Sequence, residues 1–437
     1  MAPSCETAMH THSYWLDGLD PPAVGDAALP DRADVVIIGS GYTGLNAAIE
    51  VARGGQSCVV VEAETPGYGC STRNGGQIGP GIKPSLSKLT QKFGAERARA
   101  IRAEGTASMD WIEARIKAEG IECDYSRCGM YYAAHTPHHY DGLCDWTEML
   151  HKTEGFDGHL VPQSQQHQEL GSDIYYGGAV LADNGGLHPA KYLHGLLRVA
   201  LDAGVQVIGA CAATSVTRVQ DHIDVQTVRG RVRADNVIVA TNGYTGRATP
   251  WLQRRVIPIA SSIITTDVLP KDLVTRLFPT KRIICDTRKV VYYYRPSPDG
   301  QRVVFGGRVA ARDIGAQETA RRLREKMCQI FPELKAYGMT HSWSGTVAYT
   351  FDELPHIGSH EGVHYAMGYC GSGVAMSSYL GAKIGQKVLG AKAGQSAFDG
   401  LPNHTRPLYT GRPWFLPAAV SWYRWQDERA QTKARRA

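Results

Sequence analysis

Residues 35–44 read VVIIGSGYTG, and this stretch decides the fold. Its first four residues are apolar and β-branched, which predicts a strand buried on both faces of a parallel sheet. The glycine-rich remainder is followed by apolar residues at helical spacing up to residue 52. A second apolar strand, residues 58–61, leads directly into Glu62. The order of strand, glycine turn, helix and strand predicts an α/β fold with a Rossmann-like parallel sheet.

Each glycine of the turn has its own role in holding a dinucleotide. Gly39 permits the tight turn, Gly41 lets a pyrophosphate approach the backbone, and Gly44 allows the helix to pack closely on the strand. The helix N-terminus supplies amide donors and a partial positive charge for the phosphates. Glu62, eighteen residues after Gly44, is placed to accept from the adenosine ribose hydroxyls. A glycine turn that binds nothing would not need strand, helix and acid in register, so we predict dinucleotide binding.

Two further glycine-rich segments favour FAD over a nicotinamide cofactor. Residues 66–77 are crowded with small residues, so a flat ring can approach successive backbone amides there. Residues 363–374 predict a strand, a second glycine turn and the start of a helix that runs to about residue 389. The N-terminus of that helix would stabilise negative charge on a reduced flavin. Residues 236–243 predict the closing strand of the nucleotide domain and the turn after it.

Length and composition indicate a globular protein of two domains. The chain has 437 residues, with 43% hydrophobic and 20% charged residues. Ten cysteines without a Cys-x-x-Cys pair predict free thiols, no metal site and a cytoplasmic location. We expect no secretory signal and no membrane span, because the necessary apolar runs are missing. The basic tail at residues 433–436 predicts a solvated end, and we expect no nucleic-acid partner.

Four motifs resemble those of the D-amino-acid-oxidase-like flavoenzymes. They are STRNGGQ at 71–77, GGLHP at 185–189, WSG at 343–345 and GSGV at 371–374. Within that family the chain is similar to the γ-glutamylputrescine oxidases, and the resemblance extends to about residue 412.

The resemblance implies an FAD-binding domain of the glutathione-reductase-like type and an interleaved α+β substrate domain with a mainly antiparallel sheet. The implied FAD-binding domain comprises residues 1–90, 161–245 and 341–437. The implied substrate-binding domain comprises residues 91–160 and 246–340.

The motifs and the resemblance together predict a non-covalently held FAD. A histidine that attaches the flavin covalently in some relatives corresponds to Asn74, and Cys70 and Cys370 are expected to be inert thiols. Close relatives have a histidine at the position of Ser372, so the surroundings of the ring are expected to differ here. The predicted cofactor contacts are Gly39, Gly41, Tyr42, Thr43, Gly44, Glu62, Ala63, Ser71, Thr72, Arg73, Asn74, Gly75, Gly76, Gln77, Ala240, Thr241, Gly243, Gly371, Ser372, Gly373 and Val374.

Two missing cations argue against a small α-amino acid as substrate. The resemblance implies that relatives such as monomeric sarcosine oxidase clamp a substrate carboxylate with an arginine and a lysine. The corresponding positions here are Gln77 and Ala375, and neither can form a charge-assisted pair. A clamp formed by Arg73, Arg295 or Arg308 stays open as an alternative.

An aromatic hairpin offers a different substrate surface. Residues 289–294 and 302–305 predict two paired strands, and alternation places Tyr292 and Tyr294 on one face and Tyr293 on the other. One face could line a pocket for an amine, although plain packing of an aromatic strand is the alternative. The candidate substrate-pocket residues are Tyr292, Tyr294, Arg295, Arg308 and Gln77.

The leading hypothesis is an FAD-dependent amine oxidoreductase. Hydride would pass from the α-carbon of a primary or secondary amine, such as a γ-glutamylated diamine, to flavin N5, and the imine would hydrolyse to an aldehyde and ammonia or an amine. No side chain is assigned as a catalytic base. The acceptor would be oxygen or an electron-transfer partner. The alternatives are an amino-acid oxidase or dehydrogenase with a rearranged carboxylate clamp, a flavin-binding protein without turnover, and a nicotinamide dehydrogenase.

Overall fold

The computed structural model describes residues 9–24, 27–154, 157–308 and 314–434. In these residues the strands are β1 (Arg32–Ile38), β2 (Cys58–Val61), β3 (Gln77–Ile78), β4 (Met130–Ala133), β5 (Gly158–Val161), β6 (Gly178–Leu181), β7 (Gly185–Gly186), β8 (Gln206–Ile208), β9 (Ala213–Val219), β10 (His222–Thr227), β11 (Gly230–Val239), β12 (Ile257–Thr266), β13 (Ile283–Asp286), β14 (Tyr292–Pro296), β15 (Val303–Gly307), β16 (Met339–Tyr349), β17 (His356–His360) and β18 (Val363–Met367).

The helices alternate with these strands in the first part of the chain and cover the second sheet later. They are α1 (Tyr42–Arg53), α2 (Leu86–Phe93), α3 (Ala95–Ala118), α4 (Pro137–Glu154), α5 (Pro189–Asp202), α6 (Pro250–Gln253), α7 (Lys271–Leu277), α8 (Ala316–Ile330), α9 (Gly373–Val388) and α10 (Leu416–Ala434). Among the described residues, no helix is long and apolar enough to cross a membrane.

The first sheet carries the glycine turn. Its strand order is β17-β18-β11-β1-β2-β8, and β10 and β9 extend it from β11. β1 is parallel to β2 and β11, and β11 is parallel to β18, so the carboxyl ends of these strands meet at one edge. The strands predicted at 58–61, 236–240 and 363–367 correspond to β2, the end of β11 and β18. The predicted Rossmann-like fold is confirmed.

Helices α1 and α9 pack against each other with their backbones in close contact. A Cβ atom at Gly381 of α9 would lie 2.5 Å from the Thr43 carbonyl oxygen, and one at Gly385 would lie 2.6 Å from the Ala47 carbonyl oxygen. The buried hydroxyls of Thr43 and Tyr369 lie 2.7 Å apart and join the starts of the two helices. Both helix N-termini therefore open at the same edge of the first sheet.

The second sheet is mainly antiparallel, with the order β16-β12-β15-β14-β13-β4-β6-β5. Within it, β4 and β13 run parallel. Helix α8 covers one face, where Leu323, Met327 and Phe331 are buried together with Tyr294 and Phe305. The predicted aromatic hairpin corresponds to β14 and β15, which pair antiparallel. The opposite face of this sheet is turned towards the two glycine turns.

Sheet membership corrects the predicted domain boundaries in two places. The predicted FAD-binding domain included residues 161–245 and 341–437, but β6 pairs with β4 and β5, and β16 pairs with β12 along its whole length. Both strands belong to the second sheet. β6 is a short apolar strand whose pattern fits either sheet, and β16 mixes polar and apolar residues, so the sequence pattern alone could not assign them. The division into two domains itself stays a prediction.

We predict that Gly381→Ala destabilises the protein by about 1–3 kcal/mol, because an added methyl group must displace the backbone of α1. Urea denaturation of the FAD-loaded protein measures the change in the free energy of unfolding. The matched control is Gly142→Ala in α4, where an added Cβ meets nothing within 4 Å. That control is expected to be neutral or to stabilise by up to about 1 kcal/mol. Equal effects of the two substitutions would contradict the proposed close contact of α1 and α9.

Candidate functional site

A cavity of about 1550 Å³ lies between the two sheets. Ile38, Val61 and Val239, at the carboxyl ends of β1, β2 and β11, line one side of it. Residues of β4, β12 and β14 line the other side. Small-molecule sites typically enclose about 300–1,000 Å³, so this cavity has room for a dinucleotide and a substrate together.

Most of the predicted cofactor residues line this cavity. They are Gly39, Gly41, Tyr42, Thr43, Glu62, Ala63, Ser71, Arg73, Asn74, Gly75, Gln77, Ala240, Thr241, Gly371, Ser372, Gly373 and Val374.

Four other predicted contacts, Gly44, Thr72, Gly76 and Gly243, do not line the cavity and lie behind its wall. At each of the three glycines an added Cβ would come within 2.5 Å of a backbone carbonyl oxygen, so these residues allow close packing of the wall. The Thr72 side chain is buried, and its hydroxyl donates to the Gly67 carbonyl oxygen at 2.8 Å.

The strand-end acid is held in place by the glycine turn. The backbone N–H and the hydroxyl of Ser40 donate to Glu62 Oε2 at 2.9 and 2.7 Å, and the Glu64 N–H lies 3.2 Å from Oε1. The carboxylate lines the cavity beside the N-terminus of α1. This position suits an acceptor for ribose hydroxyls, with the helix amides facing the phosphates.

The close approach that a pyrophosphate requires is also present. Gly41 lies at the cavity wall, where a Cβ would come within 2.9 Å of Ser71 Oγ. That hydroxyl accepts from the Tyr42 N–H at 3.0 Å and joins the glycine turn to the following loop. These residues fit an FAD molecule, with its adenosine end at Glu62.

The loop at residues 70–77 is held from its rear by three side-chain donors. Ser13 Oγ donates to the Thr72 carbonyl oxygen at 2.7 Å, and Trp15 Nε1 donates to that of Asn74 at 2.7 Å. Trp343 Nε1 donates to the Arg73 carbonyl oxygen at 3.0 Å. The donors come from the N-terminal segment and from β16, which both support the cavity wall.

Asn74 closes the same loop on itself. Its Nδ2 donates to the carbonyl oxygens of Cys70 and Ser71, both at 3.1 Å, and its Oδ1 accepts from the Gly76 N–H at 2.8 Å. Burial raises the pKa of the Cys70 thiol to about 12, so this thiol stays protonated at neutral pH. Neither side chain is a reactive nucleophile, and a non-covalent flavin stays our prediction.

The second glycine turn forms the far end of the cavity. Gly371 has a φ of 98° and Cys370 a φ of 52°, which bends the chain sharply before α9 begins at Gly373. Burial raises the pKa of the Cys370 thiol to about 11. Ser372, for which the resemblance implies a histidine in close relatives, lines the cavity at the N-cap position of α9. The helix N-terminus is thus placed to stabilise negative charge on a bound ring.

The face of the aromatic hairpin that lines the cavity differs from the predicted one. Tyr293 lines the cavity, and its hydroxyl lies 2.8 Å from Ser261 Oγ. Tyr294 is buried under α8, where its ring stacks on Phe305 with centroids 5.3 Å apart. Tyr292 packs on the same side against Phe305, at 5.6 Å. Alternation was predicted correctly, but the position of α8 decides which face is covered, and it covers the side of Tyr292 and Tyr294.

The two candidate arginines have different surroundings. Arg295 does not line the cavity, because its buried Nη1 donates to the carbonyl oxygens of Gly76 and Leu187 at 2.9 and 3.2 Å. In this structure Arg295 therefore supports the loop from behind and does not reach the cavity. Arg308 lines the cavity, and burial lowers the pKa of its guanidinium. The Arg308 side chain is partly exposed at the cavity wall, so its guanidinium can reach an anion bound there.

Gln77 lines the cavity, but its amide is engaged by the second sheet. Nε2 donates to the carbonyl oxygens of Ile284 and Tyr294 at 3.2 and 3.3 Å, and the Cys285 thiol lies 3.2 Å from Oε1. Ala375, the other position of the expected clamp, is 2% exposed. Neither position carries the cation that the resemblance implies for a carboxylate clamp.

Sequence reasoning missed part of the lining. Alternate residues of β12, Ile257, Ile259 and Ser261, face the cavity, and so do Phe415 and Tyr423 near or on α10. The i, i+2 pattern of β12 could have identified one face but not the ligand side. Helix α10 lies beyond the resemblance, and only the three-dimensional structure shows its contact with the segment before β14: Asp427 accepts from the N–H groups of residues 289 and 290, both at 3.0 Å.

Comparison with known proteins agrees with this geometry. The DAO family model, described as FAD dependent oxidoreductase, matches residues 34–386. A probable oxidoreductase OrdL of Haemophilus influenzae is 29% identical over 414 residues, covering 92% of this chain and 93% of that protein. Gamma-glutamylputrescine oxidoreductase of Escherichia coli is 29% identical over 404 residues, covering 91% and 93%. The crystal structure of glycine oxidase from Geobacillus kaustophilus is similar in fold, with a TM-score of 0.73 at 18% identity over 86% of this chain and 99% of that one.

We predict that Glu62→Gln weakens FAD binding about tenfold, because a hydrogen bond to a charged acceptor is worth about 1.5 kcal/mol or more. Fluorescence titration of the apoprotein with FAD measures the dissociation constant. The matched control is Glu64→Gln, which removes an exposed charge two residues further on and should change binding less than twofold. An equal loss in both variants would show a general charge effect and contradict a ribose contact.

Proposed function

Because this chain belongs to the DAO family of FAD-dependent oxidoreductases, we propose that it oxidises the carbon–nitrogen bond of a primary or secondary amine. The relative from Escherichia coli is named for γ-glutamylputrescine, and we propose a γ-glutamylated diamine as the substrate class. FAD is the cofactor and accepts the electrons that leave the amine. The observation that carries the proposal is that Gln77 and Ala375 are both uncharged. A clamp for the carboxylate of a short α-amino acid would need a cation at each of these two positions.

The wall formed by the second sheet suits a neutral amine. Tyr293, Ser261, Ile259 and Met130 line it and carry no charge, and the two largely buried charged residues at the end of β13, Asp286 and Arg288, form an ion pair with each other. Burial raises the pKa of the Tyr293 phenol well above its usual value, so the phenol stays protonated and can act as a hydrogen-bond donor. Loss of water around the substrate nitrogen disfavours the ammonium form. These residues orient the amine and favour the unprotonated nitrogen that the oxidation requires.

Arg308 would recognise a negative group remote from the reacting nitrogen. It lies at the cavity wall directly after β15, and its side chain is partly exposed there. A γ-glutamyl group carries a carboxylate that a guanidinium binds well. The same arginine favours a second candidate function, an amino-acid oxidase or dehydrogenase in which Arg308 alone holds the α-carboxylate.

The electron acceptor is proposed to be oxygen or an electron-transfer partner, and the location to be cytoplasmic. The nine cysteines within the described residues are free thiols, which agrees with a reducing compartment.

Anaerobic mixing of the FAD-loaded protein with a substrate panel tests the proposal. The panel contains putrescine, γ-glutamylputrescine, N-methyl amino acids and D-amino acids, and the visible flavin band is followed. We expect bleaching by amines without an α-carboxylate beside the reacting carbon, with γ-glutamylputrescine the fastest. Bleaching by α-amino acids alone would contradict the amine proposal and favour the second candidate. Return of the colour in air identifies oxygen as an acceptor.

Substitution of Arg308 separates the two candidates. Arg308→Gln should raise the KM for γ-glutamylputrescine about 10- to 100-fold, the equivalent of a lost charged hydrogen bond, and leave kcat/KM for putrescine within about twofold. Steady-state kinetics of the purified variant give these values, and Arg308→Lys should restore part of the affinity. If kcat/KM for putrescine falls by the same factor as kcat/KM for γ-glutamylputrescine, Arg308 does not act on a remote carboxylate.

The pH profile should follow the substrate. An alkylammonium has a pKa near about 10, so the neutral fraction rises about tenfold per pH unit below that value. We expect log kcat/KM to rise with a slope near one up to the pKa of the amine, and a less basic amine should reach its plateau at correspondingly lower pH. A plateau that stays at one pH for all amines would point to a titrating protein group and contradict this account.

A further inference from the structure

A cluster of imidazoles lies where the N-terminal segment meets β16. The N–H of His10 donates to the Thr340 carbonyl oxygen at 2.9 Å, and its own carbonyl oxygen accepts from the Ser342 N–H at 2.9 Å. This pairing places His10 beside His341, with ring centroids 4.9 Å apart. His12 lies two residues further on, and its ring centroid is 5.1 Å from each of the other two.

One carboxylate lies between two of these rings. His12 Nε2 is 2.7 Å from Asp17 Oδ1, and His341 Nε2 is 3.0 Å from Asp17 Oδ2. One potential ligand atom from each of His12, Asp17 and His341 lies within 4.8 Å of the other two. Small side-chain rotations would bring these three atoms close enough to bind one shared ion. His12 and Asp17 are about half exposed, so an ion can enter from solvent.

His341 is the most informative member of the cluster. It is 3% exposed, and its Nε2 points at Asp17 without making a hydrogen bond of acceptable geometry. Its Nδ1 lies 2.9 Å from Thr340 Oγ1, which orients the ring. A metal-binding histidine usually donates its second ring N–H to an oxygen acceptor, and Thr340 Oγ1 is placed to be that acceptor here. A buried imidazole nitrogen left without a hydrogen bond is costly unless something else binds it.

We propose that His12, Asp17 and His341 form a binding site for a divalent transition-metal ion of the zinc type. Two imidazoles and one carboxylate are a common ligand set for zinc, with water or a further side chain at the fourth position. The ring of His10 lies next to both histidine ligands and forms one wall of the site. This inference does not depend on the identity of the amine.

The site would link metal binding to the cavity wall. Ser13 and Trp15 lie between the two ligands of the N-terminal segment, and they donate to the carbonyl oxygens of Thr72 and Asn74 in the cavity loop. An ion shared by this segment and β16 holds both donors in place. Metal binding therefore stabilises the folded protein by holding the segment on β16, outside the cavity.

Calorimetric titration with zinc sulfate tests the proposal on the full-length, tag-free, FAD-loaded protein after treatment with a chelator. We expect one zinc per chain, and loss of this binding in Asp17→Asn, His12→Gln and His341→Gln. The first two substitutions lie at exposed side chains, so they test the site even if the buried His341→Gln fails to fold. His222→Gln is the matched control, because His222 lies beside Asp221 and Asp224 without a second imidazole, and it should retain full binding.

Thermal unfolding with increasing zinc gives a second measurement. The Tm of the wild-type protein and of His222→Gln should rise with the logarithm of the zinc concentration, and the Tm of Asp17→Asn should not. The absence of stoichiometric binding to the wild-type protein, or unchanged binding by both Asp17→Asn and His12→Gln, would overturn the site. Binding without a rise in Tm would overturn the link to the N-terminal segment.

Discussion

The shape of the cavity at the first glycine turn depends on the close contact between the first turn of α1 and the end of β1. A Cβ at Gly44 would lie 1.9 Å from the Gly39 carbonyl oxygen, so only glycine lets the helix start there. From this contact follow the direction of α1, the exposure of its first amides at the cavity and the position of Ser40 beside Glu62. The second helix, α9, is set by a similar contact at Gly381. Two helix N-termini thus open into one cavity.

The loop between the two nucleotide-binding turns takes its shape from distant parts of the chain. Its carbonyl oxygens accept from Ser13, Trp15 and Trp343, and Gln77 at its end bonds to the backbone of the second sheet. A loop of small residues would otherwise be mobile. These donors belong to the N-terminal segment and to β16. A substitution in either region can therefore alter the cavity wall although the substituted residue does not contact a ligand.

The second sheet forms the cavity wall opposite the glycine turns. Its exposed face places Tyr293 and Ser261 on the cavity, while α8 covers the opposite face with Tyr294 in the core. Arg308 is the cation that β15 places at this wall, and the burial that lowers its pKa also strengthens its attraction for a carboxylate. Uncharged residues around Tyr293, with the Arg308 guanidinium at the same wall, suit an amine whose negative group is remote from the nitrogen.

Local patterns in the sequence by themselves determined the parallel sheet, both glycine turns, the strand-end acid at Glu62 and the aromatic hairpin. These features depend on residues within one or two elements, where β-branching, glycine and helical spacing have direct conformational effects. Only the tertiary structure decided that Tyr293 faces the cavity, that Arg295 is a buried support, that β6 and β16 belong to the second sheet, and that His12, Asp17 and His341 meet. Each of these outcomes depends on packing between segments far apart in the chain, and alternation specifies two faces of a strand without specifying which face is covered.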